Sequence, residues 1–175
     1  MRLVSITAYA FAALFFTACS SDNKEEANQP IVFLNDAEIS DWICSTSLRE
    51  NPITHSGKFV SVIDGINLFS LGLSKQIKKI SKQPIDSVLF SYWVYLKSDN
   101  ANAVSVISTE NAQGKIFHWE GLSLRTQANK LNKWIQVKEK FKLPSNTDKN
   151  NIIKLYVFNK STEEILLDDF KVEFK

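Results

Sequence analysis

The chain has 175 residues, 44% of them hydrophobic, with 21 Lys and Arg against 19 Asp and Glu for a net charge of +2. A balance this even does not suggest a nucleic-acid footprint, which needs a clustered basic excess. With Cys19 and Cys44 the only cysteines, the chain is not a disulfide scaffold and must rely on a hydrophobic core.

In chain order, Arg2 supplies a short positive region and Leu3–Phe16 an uncharged apolar run. Thr17 and Ala18 then lead directly into Cys19. This order reads as a secretory signal. The run is too short to span a bilayer, which takes about 20 residues. The polar Ser20–Glu26 segment is not a stop-transfer flank. The Phe16-Thr17-Ala18-Cys19 junction resembles the lipobox of bacterial lipoproteins, with Phe16 where that pattern prefers Leu. The resemblance implies cleavage before Cys19 and acyl chains on it, palmitate among them. Two or more chains make a lasting membrane anchor. Ser20, in place of the Asp of inner-membrane retention, is similar to outer-membrane sorting signals. Glu25 and Glu26 resemble the acidic patch of surface-exposed lipoproteins, or else belong to a solvated spacer. Residues 1–18 are thus expected to be a signal peptide and 19–30 a lipidated cysteine with a flexible tether. The tether, about eleven residues, reaches at most ~40 Å when extended.

From Ile31 onward, aromatic and β-branched runs alternate with polar turns. Strands are predicted near 31–35, 39–45, 57–64, 67–73, 75–80, 85–97, 103–109, 115–125, 133–143, 152–159 and 165–174. A helical turn is the alternative to loop for Thr126–Asn132. Many short strands at this spacing predict an all-β, antiparallel β-sandwich or barrel over residues 31–175. Period-two parity puts Ile153, Leu155, Val157 and Asn159 on one face, and Ile152, Lys154, Tyr156 and Phe158 on the other. It likewise separates Phe90, Tyr92, Val94 and Leu96 from Ser91, Trp93, Tyr95 and Lys97. The faces bearing Lys97 and Lys154 are expected to meet solvent. Trp42 and Trp134 are assigned to the core, and Cys44 is read as a small buried hydrophobe.

Ser56-Gly57-Lys58-Phe59, Lys133-Trp134-Ile135-Gln136-Val137, Ile153–Asn159 and Leu167-Asp168-Asp169-Phe170-Lys171-Val172 occur in that order. In order and spacing they resemble the galactose-binding-domain-like jelly roll of carbohydrate-binding modules. Such a fold hosts many functions. The resemblance implies a structural Ca²⁺ as one option, with no other cofactor required. Asp168 matches its late ligand, Glu38 or Asp36 its early acid, and Lys58 or Ser56 its backbone carbonyl. The competing reading is that Asp168 and Asp169 only bound and solubilise the last strand.

Sugar recognition in such modules uses exposed aromatics that stack on pyranose rings. Trp93, Tyr95 and Tyr156 are the candidates by parity, with Asn159 at a strand end. Trp119 and His118 are further candidates of ambiguous parity. Each aromatic has a plainer alternative, packing in the core or under a loop. His55 and His118 are the only histidines, and no G-x-S-x-G or H-E-x-x-H motif occurs. Glu163-Glu164 and Asp168-Asp169 are neighbours whose side chains diverge on a strand, unsuited to glycosidase work. The expectation is a non-catalytic, outer-membrane-anchored module that binds glycan. The alternative is a protein-interaction subunit of an outer-membrane complex. No nucleic-acid partner is expected.

Overall fold

The computed structural model describes residues 29–175. The predicted signal peptide, Cys19 and most of the predicted tether lie outside the described residues.

Strand β1 (Ile31–Asn35) opens the domain. It is followed by β2 (Leu48–Glu50), β3 (Phe59–Ile63) and β4 (Leu73–Gln76), and by a helical turn, α1 (Ile77–Ile80). Then come β5 (Ser87–Leu96), β6 (Ala103–Glu110), β7 (Ile116–Ser123), β8 (Trp134–Lys142), β9 (Ile152–Asn159) and β10 (Ile165–Phe174). They form two antiparallel sheets, the sandwich rather than the barrel of the two forms that the strand spacing predicts, and the jelly roll that the resemblance implies. One sheet has the order β2-β3-β10-β5-β8, with β1 also paired to β10. The other has the order β4-β9-β6-β7.

The core lies between the sheets. Phe90, Tyr92, Val94 and Leu96 of β5 meet Ile153, Leu155 and Val157 of β9 there, as parity predicts. Phe141, Phe170 and Val172 complete the middle. Burying each such side chain contributes roughly 1.5–3 kcal/mol.

β10 has two neighbours on the same edge. Ile165–Leu167 pair with β3, and Phe170–Phe174 pair with β1. Its register against β5 shifts between Asp168 and Lys171, and Asp169 takes a left-handed φ of 49°. The bulge keeps Phe170 facing the core although Leu167 also faces it.

Several predicted strands take another form. Residues 39–45 are not a strand and contribute only an Ile43–Gly72 bridge. Ala37 and Cys44 both adopt left-handed φ, which breaks extension on either side, and a 3₁₀ turn follows at Ser45–Ser47. The strand predicted over 67–73 reduces to bridges at Phe69 and Gly72 and to Leu73, which opens β4. Side chains stand in for the ladder there: Val157 N–H donates to Ser70 Oγ and Leu71 N–H to Ser61 Oγ, each at 2.8 Å. The strand predicted over 75–80 ends at Gln76. Ile77 and Ile80, three residues apart, are both buried on one side of α1, a helical spacing. β2 was not among the predicted strands. A 3₁₀ turn occupies Leu124–Thr126, at the start of the segment read as loop or helical turn. Trp42 is in the core, but Trp134 is half-buried outside it. Cys44 is half-buried rather than buried, and burial pushes its thiol pKa up, away from the reactive thiolate.

Candidate functional site

The aromatic candidates do not share one surface. Trp93 and Tyr95 lie on the outer face of the six-stranded sheet. Tyr156 and Trp119 lie on the outer face of the four-stranded sheet, across the core.

On the six-stranded sheet, Val62, Leu166, Tyr95 and Trp134 form one cross-strand row. With Val60 and Ile53 they make a second, smaller apolar cluster. The loop between β2 and β3 folds over this face. His55 stacks on Trp93 with ring centroids 3.9 Å apart at 17°, and meets Trp134 edge-on at 5.8 Å. Asp168, fully buried, fastens the loop: Oδ2 accepts the N–H groups of His55 (2.9 Å) and Ser56 (3.1 Å). Its Oδ1 accepts the N–H of Asp169 at 2.8 Å. Asp169 in turn accepts from Ser56 Oγ at 2.7 Å and pairs with His55 Nδ1 at 2.5 Å. Burial pushes the Asp168 carboxyl up to about 6, against the pull of these N–H donors. Trp93 and Tyr95 are therefore parts of a loop-covered cluster, not an open stacking surface. Their sequence gave them the right face, while the cover came from a loop more than a hundred residues before Asp168.

The same loop tests the calcium set. Glu38 Oε1 accepts the N–H groups of Lys58 (2.6 Å) and Phe59 (2.8 Å), which hold its carboxyl below the usual range. Gly57 has φ 57°, and a Cβ on it would stand 2.1 Å from Glu38 Oε1. The Lys58 carbonyl accepts the N–H of Asn51 at 3.1 Å. Glu38 and Asp168 thus each face N–H donors, and Lys58 turns its carbonyl to an amide. A Ca²⁺ cage needs convergent oxygens, so Asp168, Glu38 and Lys58 do not fit one. Among the described residues, no group of three His, Cys, Asp or Glu side chains gathers as a metal site.

Asn159 is likewise a structural residue. It is buried, its Nδ2 donates to the Glu163 carbonyl at 2.9 Å, and its Oδ1 accepts from Ser161 N–H and Oγ–H. It shapes the turn into β10 and offers nothing to a ligand.

The outer face of the four-stranded sheet is open. Tyr156 on β9 pairs with Val106 on β6, which pairs with Gly121 on β7. In the next row Lys154 pairs with Ser108 and Ser108 with Trp119. Val104, Val106 and Ser108 form a buried floor beneath the larger side chains. Trp119 is 50% exposed, and its benzo ring lies over Gly121. Phe69, 44% exposed, meets Tyr156 edge-on at 5.6 Å and stacks on Phe158 at 5.2 Å. Gly72 makes room for Tyr156, since a Cβ there would fall 2.9 Å from the Tyr156 Cβ. Lys154 forms an ion pair with Glu110 on the neighbouring strand. The result is aromatic surface with charged hydrogen-bonding groups alongside it.

Phe69, Phe158 and Glu110 were not among the sequence candidates. Parity did place Phe158 beside Tyr156, but only the Phe69–Phe158 bridge brings Phe69 there. His118 is on the other side of β7 from Trp119, paired with Thr109. Its Nε2 is 3.8 Å from the Glu120 carboxylate.

No family model and no curated protein matches the chain. Solved structures do. The CBM22-2 xylan-binding domain from Paenibacillus barcinonensis Xyn10C superposes with a TM-score of 0.51 at 12% identity, over 82% of this chain and 99% of that one. The CBM22-1-GH10 modules of Clostridium thermocellum Xyn10B, complexed with xylohexaose, match with a TM-score of 0.54 at 13% identity. That match covers 85% of this chain and 29% of the longer one. At such identities the likeness is one of fold: the chain has the β-sandwich jelly roll of carbohydrate-binding modules.

Proposed function

We propose that the chain is a non-catalytic, lipid-anchored module that binds glycan on the outer face of its four-stranded sheet. The carrying observation is the pair Trp119 and Tyr156, set two strands apart, about 10 Å, on one open face. That separation suits stacking against successive sugar rings, with Lys154 and Glu110 placed to bond hydroxyls. The fold shared with xylan-binding domains supports the class of ligand. Support for a non-catalytic role is that the Asp168 and Asp169 carboxylates are engaged in holding a loop.

The anchor is the part of the proposal read from sequence alone. Residues 1–18 direct export, acylated Cys19 fixes the protein to the outer membrane, and 19–30 tether the domain at 31–175. Among the described residues every strand and the whole core fall within 31–175, so a chain beginning at Ser20 keeps that fold. A glycan array with that chain tests the binding reading. Binding lost in Trp119→Ala and Tyr156→Ala, but kept in Trp93→Ala, is the expected result. Absence of binding to every glycan, or binding untouched by both changes, overturns it. Fractionation of cells expressing Cys19→Ser tests the anchor, which predicts loss of stable membrane attachment.

The second reading, a docking subunit for an outer-membrane protein, is favoured by Ile66. This side chain is 90% exposed at a turn that Asp64 fixes by accepting two N–H bonds. Co-purification that Ile66→Ser abolishes, with no glycan bound, would select it.

A further inference from the structure

The long axis of the sandwich has a defined polarity. The first residue of β10, Ile165, pairs with Ile63 and Leu96, and the last, Phe174, pairs with Ile31 and Val88. The tether therefore enters at the Phe174 end. The turn bearing Ile66 is at the opposite end, roughly 30 Å away along ten residues of strand.

The tether end is basic. Lys142 closes β8 beside Ser87, which follows directly on Asp86. Leu143 N–H donates to the Asp86 carbonyl at 3.1 Å, and Lys78 N–H to the Lys149 carbonyl at 2.9 Å. These bonds draw α1, with Lys78 and Lys79, and Lys149 of the β8–β9 loop to this end. Lys82 and Lys149 line one hollow of about 470 Å³. Gln29, Pro30 and Ile31 line an adjoining hollow that shares Ser81 and Gln83–Asp86 with it. The lysines therefore surround the point where the tether enters.

Lys78, Lys79, Lys82, Lys142 and Lys149 are all exposed, and none is in an ion pair among the described residues. The acids at this end balance them only in part. Asp86 and Asp148 are exposed, Glu110 is paired with Lys154, and Glu173 with Lys171 and Lys175. At the far end Lys97 pairs with Glu164 and Arg125 with Asp99, while Lys130, Lys133 and Lys160 are exposed and in no ion pair among the described residues.

We infer that this lysine face docks on the anionic lipid headgroup phosphates of the membrane that the tether reaches. The tether, about eleven residues, holds this end within ~40 Å of the membrane, and often much closer. At that range several uncompensated lysines act together, and each near-surface lysine strengthens binding to anionic lipid about fivefold. The anchored domain then stands upright on its basic end. Its aromatic sheet face runs along the membrane normal and stays open to solvent. The inference rests on the anchor of the proposed function, and its test is made without it.

Flotation of the chain from Ser20 is measured with vesicles of phosphatidylethanolamine and phosphatidylglycerol, and with vesicles of phosphatidylcholine alone. The expected result is salt-sensitive binding to the first and none to the second. Lys79→Glu/Lys82→Glu/Lys149→Glu lowers that binding about a hundredfold. The matching Lys→Arg triple keeps it, and both triples keep the wild-type melting temperature. Equal binding to both vesicles, no binding to either, an unaffected Glu triple, or binding to heparin with vesicles ignored overturns the inference. Failure of Cys19 to incorporate labelled palmitate in cells would overturn the anchor alone and leave the vesicle result standing.

Discussion

Trp119 lays its benzo ring so closely over Gly121 that a Cβ on the glycine would stand 2.6 Å from Cη2. The two residues are i and i+2 on β7, hence on one face of the sheet. The glycine keeps the ring down against the strand, where its outer side can receive a sugar. Gly121→Ala lifts the ring without opening the core. We expect glycan affinity to fall about tenfold, as in Trp119→Ala, with little change in melting temperature. Titration calorimetry with the best array ligand checks this. Full affinity in Gly121→Ala would show that ring orientation is irrelevant.

Trp93 belongs to the opposite face and should answer to stability instead. Its indole is sandwiched between the sheet and the His55 ring. Trp93→Ala leaves a void under the loop, at a cost of about 2–4 kcal/mol. Thermal melts should register this while glycan affinity stays at the wild-type value. His55→Ala exposes the indole and should shift tryptophan emission to the red.

The contrast between these tryptophans marks how far the sequence was legible. Alternation along β5 and β9 gave the buried and outward faces correctly, because a strand buried on one side carries that pattern locally. It could not say that the two outward faces belong to different sheets, since strand order is a non-local property. Nor could it show that a loop covers Trp93, because that depends on Asp168 reaching back to His55. The failed strand over 39–45 has a local cause without a local signal: Ala37 and Cys44 occupy left-handed φ without being glycine. Trp119 had ambiguous parity for a similar reason. The β6–β7 register shifts between Thr109 and Glu110, and alternation alone does not reveal a bulge.

Asp168 and Glu38 hold the same loop with opposite pH signatures. The Asp168 carboxyl is raised from 3.8 to about 6 in the fold. Its contribution is therefore fully present below about pH 4 and is lost as pH rises through about 6. The free energy involved is on the order of 2–3 kcal/mol. Glu38 is lowered by the N–H groups of Phe59 and Lys58, so its contribution is present above 4.5 and lost on acidification. Asp168→Asn removes the first effect only. Between about pH 4 and pH 7, the variant should lose less stability than wild type as pH rises. Parallel melting curves for the two proteins across that range would refute the assignment.

Tyr92 and Ser105 supply a test of how the two sheets are joined. Tyr92 is on β5 and Ser105 on β6, both fully buried, with the hydroxyls 2.6 Å apart. Burial pushes the Tyr92 pKa upward, so the phenol remains a neutral hydrogen-bonding group. Tyr92→Phe keeps the ring and strands the Ser105 hydroxyl without this partner, which costs about 1–3 kcal/mol. Adding Ser105→Ala removes the stranded group as well. The double variant should therefore be more stable than Tyr92→Phe alone, giving a favourable coupling of about 1 kcal/mol in a double-mutant cycle. If the two changes simply add, the hydroxyl pair contributes nothing specific. Cohesion of the sheets would then rest on apolar packing between β5 and β9.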